Sequence, residues 1–429
     1  MIHLDKWVGL PLCVLAFVLH QLGRPVAAWR GRRAERPVRR VLVVKFLGMG
    51  SILLATPLLR RLRETHPHAR VTFLSFADNA QLLESLPLVD EVLVVSRRSV
   101  AGLLLEVPAL LARLRARRFD VAVDLEFYSR LSNLVSWGSG ARRRVGFFVR
   151  DRWRGSLLSD PVYFNPTLPY ARAVLALLRP LVDAPRGADL ATRPGECLEP
   201  PRVSGPARRA AHMRLRELGV DPDETILVVN ANASDLCDER RWPAERFAQL
   251  VERFDDEVAA IDRIAFIGTA RETPTVRAVL ETVHPRARAR CLDLSGRTSL
   301  TELIALLGAA ALLVTNDSGP LHLAAALGVP TVSLFGPETP ALYGPVGRDH
   351  LVFYAGHWCS PCLSVYNAKI AMCAGDNVCM RRIAVDDVVS ATATFCRERV
   401  GLAPPRAGRE GRTAAGAGTD GVPDGGPAP

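Results

Sequence analysis

TNDSGPLHLAAALGVPTVSLFG, residues 315 to 336, decides how this chain must fold. The apolar run ALLVTN (311 to 316) ends a strand at Asn316. Ser318 stands where a helix is capped, Pro320 where a first turn tolerates a missing N–H, and Gly328 where a helix closes. TVSLFG (331 to 336) then begins the next strand. Strand, crossover helix and strand at this spacing belong to a parallel sheet. The helix mouth at Ser318, Gly319 and Leu321 offers free amides and the positive end of a dipole, which suit a pyrophosphate, and Gly319 lets one approach the backbone. Asp317 at the same mouth can accept hydrogen bonds from sugar hydroxyls, and His322 lies one turn inside. The plain alternative is a capped crossover helix that binds nothing.

The same alternation extends to both sides. Upstream, TILVVN (225 to 230), a helix opening at Pro243, IAFIG (264 to 268) and CLDLSG (291 to 296) precede it. Further upstream, VLVVK (41 to 45) leads through the glycine-bearing loop FLGMG into an amphipathic stretch from Ser51 to Arg63. VTFLSF (71 to 76), EVLVVS (91 to 96), a helical stretch to Arg118 and DVAVDLE (120 to 126) follow. A Pro- and Arg-rich stretch from about Arg186 to Arg209 interrupts the pattern as a linker. The expected organisation is α/β: a segment 1–37, two doubly wound Rossmann-like domains at 38–200 and 201–402 facing a central cleft, and a disordered tail at 403–429. Such sheets bind ligands beyond the carboxyl ends of their strands.

At 429 residues, 48% hydrophobic and 23% charged, the chain has the composition of a folded, multidomain protein. Its net charge of +11 is no nucleic-acid signature, because seven arginines between residues 24 and 40, against the single acid Glu35, supply +6 of it. No zinc finger or aromatic RNA-binding motif accompanies the charge. Trp7 to Leu19 carry no charge and precede that arginine block. The run is short for a spanning helix, which needs about 20 apolar residues. Apolar residues followed by a polybasic block predict a membrane-surface or re-entrant anchor on the cytoplasmic side, with a cleaved signal or an ordinary packed helix as the alternatives.

NDSGPLHLAAALGVPTVSLFGP (316 to 337) resembles the donor-binding signature of the bacterial heptosyltransferase family, glycosyltransferase family 9, and VLVVKFLGMGSILLATPLLRRLR (41 to 63) resembles that family's opening. DVAVDLEFYSRLSNLVSWGSGARRRVGF, RRWPAERFAQLVERF, IAFIGTARE and CMRRIAVDDV follow in the family's order, so the resemblance covers about residues 40 to 390. It implies a GT-B fold with an acceptor-binding N-terminal domain and a nucleotide-sugar-binding C-terminal domain. The donor it implies is ADP-heptose, and the acceptor a lipid A and inner-core saccharide at the cytoplasmic face of the bacterial inner membrane. Carried over by position, Arg240, or its neighbour Arg241, contacts the donor phosphates, Glu272 grips the ribose, and Asp317, Ser318, Gly319 and His322 complete the donor site. A surface arginine at 240 and a helix-capping acid at 272 are the plain alternatives.

One departure bears on catalysis. The family places an aspartate, as general base, directly after the glycine of the first loop, whereas this chain reads Gly48, Met49, Gly50, Ser51. A serine hydroxyl without a partner does not abstract a proton near neutrality. The base has moved, or the reaction needs little base help, or the protein binds without catalysing. Glu126, at the carboxyl end of DVAVDLE with Asp124 two residues before it on the same side of the strand, is the candidate base. Gly48, Gly50, Asp124 and Arg130 are expected to shape the acceptor side, Arg130 holding an acceptor phosphate, and Lys45 can point into the cleft.

Cys359, Cys362, Cys373 and Cys379 lie within 21 residues, and a zinc site is the less favoured reading beside ordinary thiols. The sole Asp-x-Asp string, Asp221 to Asp223, precedes a strand and so lies at the wrong end of a sheet for a ligand. No cofactor is expected, and no P-loop or dinucleotide fingerprint is present. These features predict an inverting, metal-independent transfer from a nucleotide-sugar donor to a lipid-linked saccharide. A sugar-nucleotide epimerase or hydrolase of the same fold, or a silent membrane-bound sugar-binding protein, are the competing readings.

Overall fold

The computed structural model describes residues 8–29, 37–96, 100–149, 153–182, 197–221, 223–233, 237–364, 371, 373 and 376–404. Residues 186–196 of the expected linker, and the expected tail from 405 onward, lie outside them, while residues 205–209 of that stretch belong to the helix Gly205–Glu217 and not to a linker.

Two six-stranded sheets, all parallel, carry the chain. The first holds β1 (Arg40–Val44), β2 (Arg70–Phe76), β3 (Glu91–Val95), β4 (Val121–Asp124), β5 (Arg143–Phe148) and β6 (Asp160–Tyr163), in the order β3-β2-β1-β4-β5-β6. The second holds β7 (Ile226–Asn230), β8 (Arg263–Phe266), β9 (Cys291–Asp293), β10 (Leu312–Asn316), β11 (Thr331–Phe335) and β12 (His350–Tyr354), in the order β12-β11-β10-β7-β8-β9. Both are the doubly wound arrangement, and each has one point where the strand order reverses: between β1 and β4, and between β7 and β10. Ligands of such sheets bind at that reversal. Register there sets Val44 beside Asp124, and Thr315 beside Asn230.

The central strands are buried along their whole length, which is why they read as unbroken apolar runs. Three strands escaped the sequence reading. β5 opens on Arg143 and Arg144, β6 reads DPVY, and β12 is half-exposed; all lie at or next to a sheet edge. Arg143 joins β5 to β6 by a 2.7 Å ion pair with Asp160, so the charge that disguised the strand helps to hold it.

The N-terminal apolar run forms the helix Gly9–Trp29, with Pro11 in its first turn, where proline is tolerated. It packs against the helix Arg130–Gly138 of the first domain. One apolar core passes through both domains: Leu53, Leu58 and Tyr170 from the first share it with Leu306, Leu323 and Ala324 from the second. The short helix Met49–Leu54 after β1 lies on the helix Gly319–Leu327 after β10, so the loops at the two reversal points face each other.

Candidate functional site

On the C-terminal side, Asn316 closes β10 and the helix Gly319–Leu327 starts three residues on, ending at the left-handed Gly328. The expected cap at Ser318 is a correction: its side chain makes no capping bond. Its hydroxyl instead accepts from Asn230 Nδ2 at 2.8 Å and lies 3.0 Å from Thr315 Oγ1, inside a buried polar network across the β7–β10 reversal. Among the described residues the first-turn amides are thus left without a side-chain cap, which keeps the positive end of the dipole available to an anion.

Arg240 reaches this mouth. Its guanidinium pairs with Asp317 Oδ2 at 3.1 Å and also donates to the carbonyl of Ala233. Both partners are largely buried. The loop that carries Arg240 is pinned by Trp242, which is 1% exposed: its backbone N–H donates to Asn316 Oδ1 at 3.0 Å and its indole N–H to Ile383 O at 3.0 Å. Asn377 adds bonds to the carbonyls of Glu239 and Arg241. Arg241 pairs instead with Asp238 at 2.9 Å, so of the two arginines Arg240 is the one that meets Asp317. Glu272 stands past the end of β8, where its Oε2 accepts from the N–H and hydroxyl of Thr269 in a capping box; the plain capping role is present there. A hollow of about 280 Å³ lined by Asp238, Arg241, Trp242, Thr275 and Asn377 opens beside the Arg240 loop.

On the N-terminal side, the glycine loop is braced from below. Glu126 Oε1 accepts from the N–H groups of Phe46 and Leu47 at 2.9 and 3.3 Å, while Oε2 meets Lys45 Nζ at 3.0 Å in a pair that is almost wholly buried. Both oxygens are engaged, one by a buried cation and the other by two backbone donors. That geometry suits a positioning residue for the loop. Lys45 accordingly faces Glu126 and not open solvent. Ser51 Oγ donates to the carbonyls of Leu47 and Gly48, closing the loop on itself. Gly48 has φ 88°, which only glycine adopts cheaply. Asp124, fully buried, pairs with Arg154 and accepts from Ser132 Oγ at 2.9 Å and Glu126 N at 3.0 Å. Burial pushes its carboxyl above the usual range against the pull of Arg154. Asp124 therefore anchors the segment 124–132 and does not line a solvent-facing surface. Arg130 opens the helix Arg130–Gly138 and is half-buried.

Where the two sides meet, a side chain on Gly50 would run into the His322 ring, 2.4 Å from its Cδ2, and one on Gly319 would meet the tip of Met49 at 2.6 Å. The room expected beside Gly319 is thus filled by a flexible methionine. His322 is 3% exposed and its Nδ1 has no hydrogen-bond partner among the described residues. Burial lowers its pKa to about 4, with Asp317 opposing, so the ring is neutral at pH 7. Tyr343 stacks on Tyr170 across the domains at 5.8 Å; burial, then Glu338, Asp317 and Glu126, raise its phenol well above the ordinary range. Tyr343, Glu338 and Asn230 went unread in the sequence. Asn230 had a signal, a polar residue closing an apolar strand as Asn316 does, whereas Glu338 in the turn after β11 and Tyr343 at the end of the short helix Pro340–Tyr343 had none. The cysteines converge on Cys379, whose thiol burial pushes up to about 11 with Cys362, Cys359 and Cys373 nearby. Among the described residues no group of His, Cys, Asp or Glu is placed to hold a metal ion.

The model of glycosyltransferase family 9 (heptosyltransferase) matches residues 107–369. The chain is 26% identical over 317 residues to lipopolysaccharide heptosyltransferase 2 of Escherichia coli, covering 72% of this chain and 86% of that protein. A family 9 glycosyl transferase from Veillonella parvula superposes with a TM-score of 0.68 at 23% identity, over 84% of this chain and 97% of that one. The structure of E. coli ADP-heptose lps heptosyltransferase II gives 0.66 at 23% identity, over 84% and 99%.

Proposed function

The chain belongs to glycosyltransferase family 9, the heptosyltransferase family, and from that premise we propose that it transfers heptose from ADP-heptose to the core saccharide of lipopolysaccharide. The observation that carries this reading is the mouth of the Gly319–Leu327 helix, which has free amides, the Arg240–Asp317 pair beside it, and the glycine loop of the other domain facing it. The donor diphosphate sits at the helix mouth, with Met49 moving aside for it. Arg240 exchanges part of its contact with Asp317 for the phosphates and neutralises the charge that develops on the departing ADP. Asp317 and the neutral His322 hold sugar hydroxyls, and the nucleoside lies toward Glu272 and the hollow beside the Arg240 loop. The acceptor hydroxyl enters from the loop at Gly48–Ser51 and attacks the anomeric carbon in a single inverting displacement. Ser51 is committed to two carbonyls and Glu126 to Lys45 and two amides. The reaction therefore leans on leaving-group stabilisation, alignment and exclusion of water between the domains more than on a strong base. Arg130 remains the proposed contact for an acceptor phosphate. The acceptor is lipid-linked, and the enzyme works at the cytoplasmic face of the bacterial inner membrane, with its N-terminal segment toward the lipid.

The test is transfer from ADP-heptose to a delipidated inner-core saccharide, read by mass spectrometry. One added heptose is expected. Arg240→Met should lower kcat/KM by about a hundredfold, in line with loss of one electrostatic contact to the leaving group. Hydrolysis of the donor without any product saccharide, or turnover indifferent to Arg240→Met, overturns the reading.

A further inference from the structure

The Gly9–Trp29 helix has one side covered and one side bare. Gly9, Cys13 and Ala16 on its inner side are buried against the first domain, where Cys13 Sγ donates to Arg154 O at 3.6 Å. Phe17 meets Trp153 edge-on at 6.2 Å. Residues are set about 100° apart around a helix, so Leu12, Val14, Leu15, Val18, Leu19 and Leu22 fill the opposite arc. Those six are each 43–69% exposed, and no Asp, Glu, Lys or Arg lies between Trp7 and Gly23. A helix that is apolar all round belongs where both sides are covered, and the protein covers only one. Six adjoining aliphatic side chains make a continuous patch, unlike the scattered exposed apolar residues common on any surface.

Length and charge identify the cover. No helix among the described residues is long and apolar enough to cross a membrane, and an apolar arc along one side of a helix suits the plane of a bilayer's interface. Seven arginines between residues 24 and 40 follow the apolar arc directly. A second copy of the chain would bring that block against its own like charge, whereas anionic headgroups complement it. Trp153, 39% exposed at the helix's flank, has the side chain that favours a membrane–water boundary.

We infer that the outer arc of this helix is a docking surface for an anionic bilayer, immersed at the boundary of headgroups and acyl chains with the helix in the membrane plane. The inference deepens, and rests on, the reading of a lipid-borne acceptor. It adds that the seat of the helix is the acceptor side itself: the helix bears on Arg130–Gly138 and on Arg154, the residue that holds Asp124. Docking thereby presents the acceptor loops to the surface from which the acceptor projects.

The experiment uses the full chain and vesicles of equal parts phosphatidylethanolamine and phosphatidylglycerol, with flotation as the readout. The wild type is expected to float with the vesicles and to be released progressively by salt. The variant Leu15→Gln, Leu19→Gln, Leu22→Gln should bind about a hundredfold more weakly, two tenfold steps for three partly immersed side chains. All three positions are exposed, so transfer to the delipidated saccharide without vesicles should be unchanged, which also shows that the variant is folded. Equal flotation of variant and wild type overturns the inference. So does a wild type that fails to float, or a dimer in sedimentation equilibrium that the three substitutions dissolve. Flotation that obeys the prediction in a protein that transfers no heptose would sink the transferase reading and leave the docking surface standing.

Discussion

His322 is polar, 3% exposed and uncharged at neutral pH, and each property has a consequence. The unfolded chain takes up its proton near 6.5, the folded chain only near about 4, because burial disfavours the imidazolium more than Asp317 favours it. The unfolded state thus binds more protons between these values, and the native state loses stability as pH falls from about 6.5 to about 4, by on the order of 3 kcal/mol. Urea midpoints for the wild type and His322→Gln, measured from pH 7 to pH 4, should converge by about that amount; parallel curves would mean that the ring titrates normally. Glu126 allows a second test. Replacing it with Gln strands Lys45, which is 5% exposed, and removes a charged acceptor from two amides. Breaking a buried pair on one side costs about 3–5 kcal/mol. The variant should unfold earlier in urea by that amount, and a stability equal to the wild type would return Glu126 to the list of candidate bases.

At the scale of elements, the donor side depends on a loop being held to a strand end. Trp242 fills the core beneath the Arg240 loop and ties it to Asn316 at one end and Ile383 at the other. Trp242→Phe keeps most of the apolar volume but removes the indole donor from the Ile383 carbonyl, which keeps Arg246, so the cost is that of one hydrogen bond, about 1 kcal/mol. Its effect on donor binding should be a rise in the Kd for ADP of about tenfold, by calorimetry, because Arg240 is held less firmly; an unchanged Kd would mean that Asn377 and the backbone bond from residue 242 to Asn316, which this variant keeps, suffice to hold the loop. The same elements show how far the sequence could be read. The strands at the centre of each sheet are buried on both faces, so their apolar runs were legible, as was the turn after β10, where serine, glycine and proline follow one another. β5, β6 and β12 were not, since their side chains stand partly in water and admit Arg143, Asp160 and His350, whereas the edge strand β3 keeps an apolar run. The donor mouth was found by local pattern. Ser318 was misread as a cap because its partner, Asn230, arrives from another strand across the sheet reversal. Glu126 was placed correctly at a strand end, but Lys45 and the two amides that occupy it come from β1's loop, and no local pattern announces them.

The whole molecule behaves as more than two sheets joined by a linker. Leu53 and Leu58 beneath the glycine loop share one core with Leu306, Leu323 and Ala324, Tyr170 stacks on Tyr343, and Gln81 bonds to Thr301 across the same junction. Separating the domains would expose this apolar surface at about 25 cal/mol per Å². Domains that meet over a polar, hydrated surface melt separately, whereas a shared core couples them. Calorimetry should therefore record a single transition whose calorimetric and van't Hoff enthalpies agree. ADP, binding the native state alone, should move that whole transition upward, by about 2.7 kcal/mol of stabilisation at a hundredfold excess over its Kd. Two transitions, with ADP shifting only one, would show that the domains unfold independently. Gly50→Ala then becomes the sharper probe, since its methyl would press on the His322 ring at the junction while both sheets stay intact. That substitution should split or broaden the transition and weaken ADP binding together if the junction and the donor mouth are one structural unit.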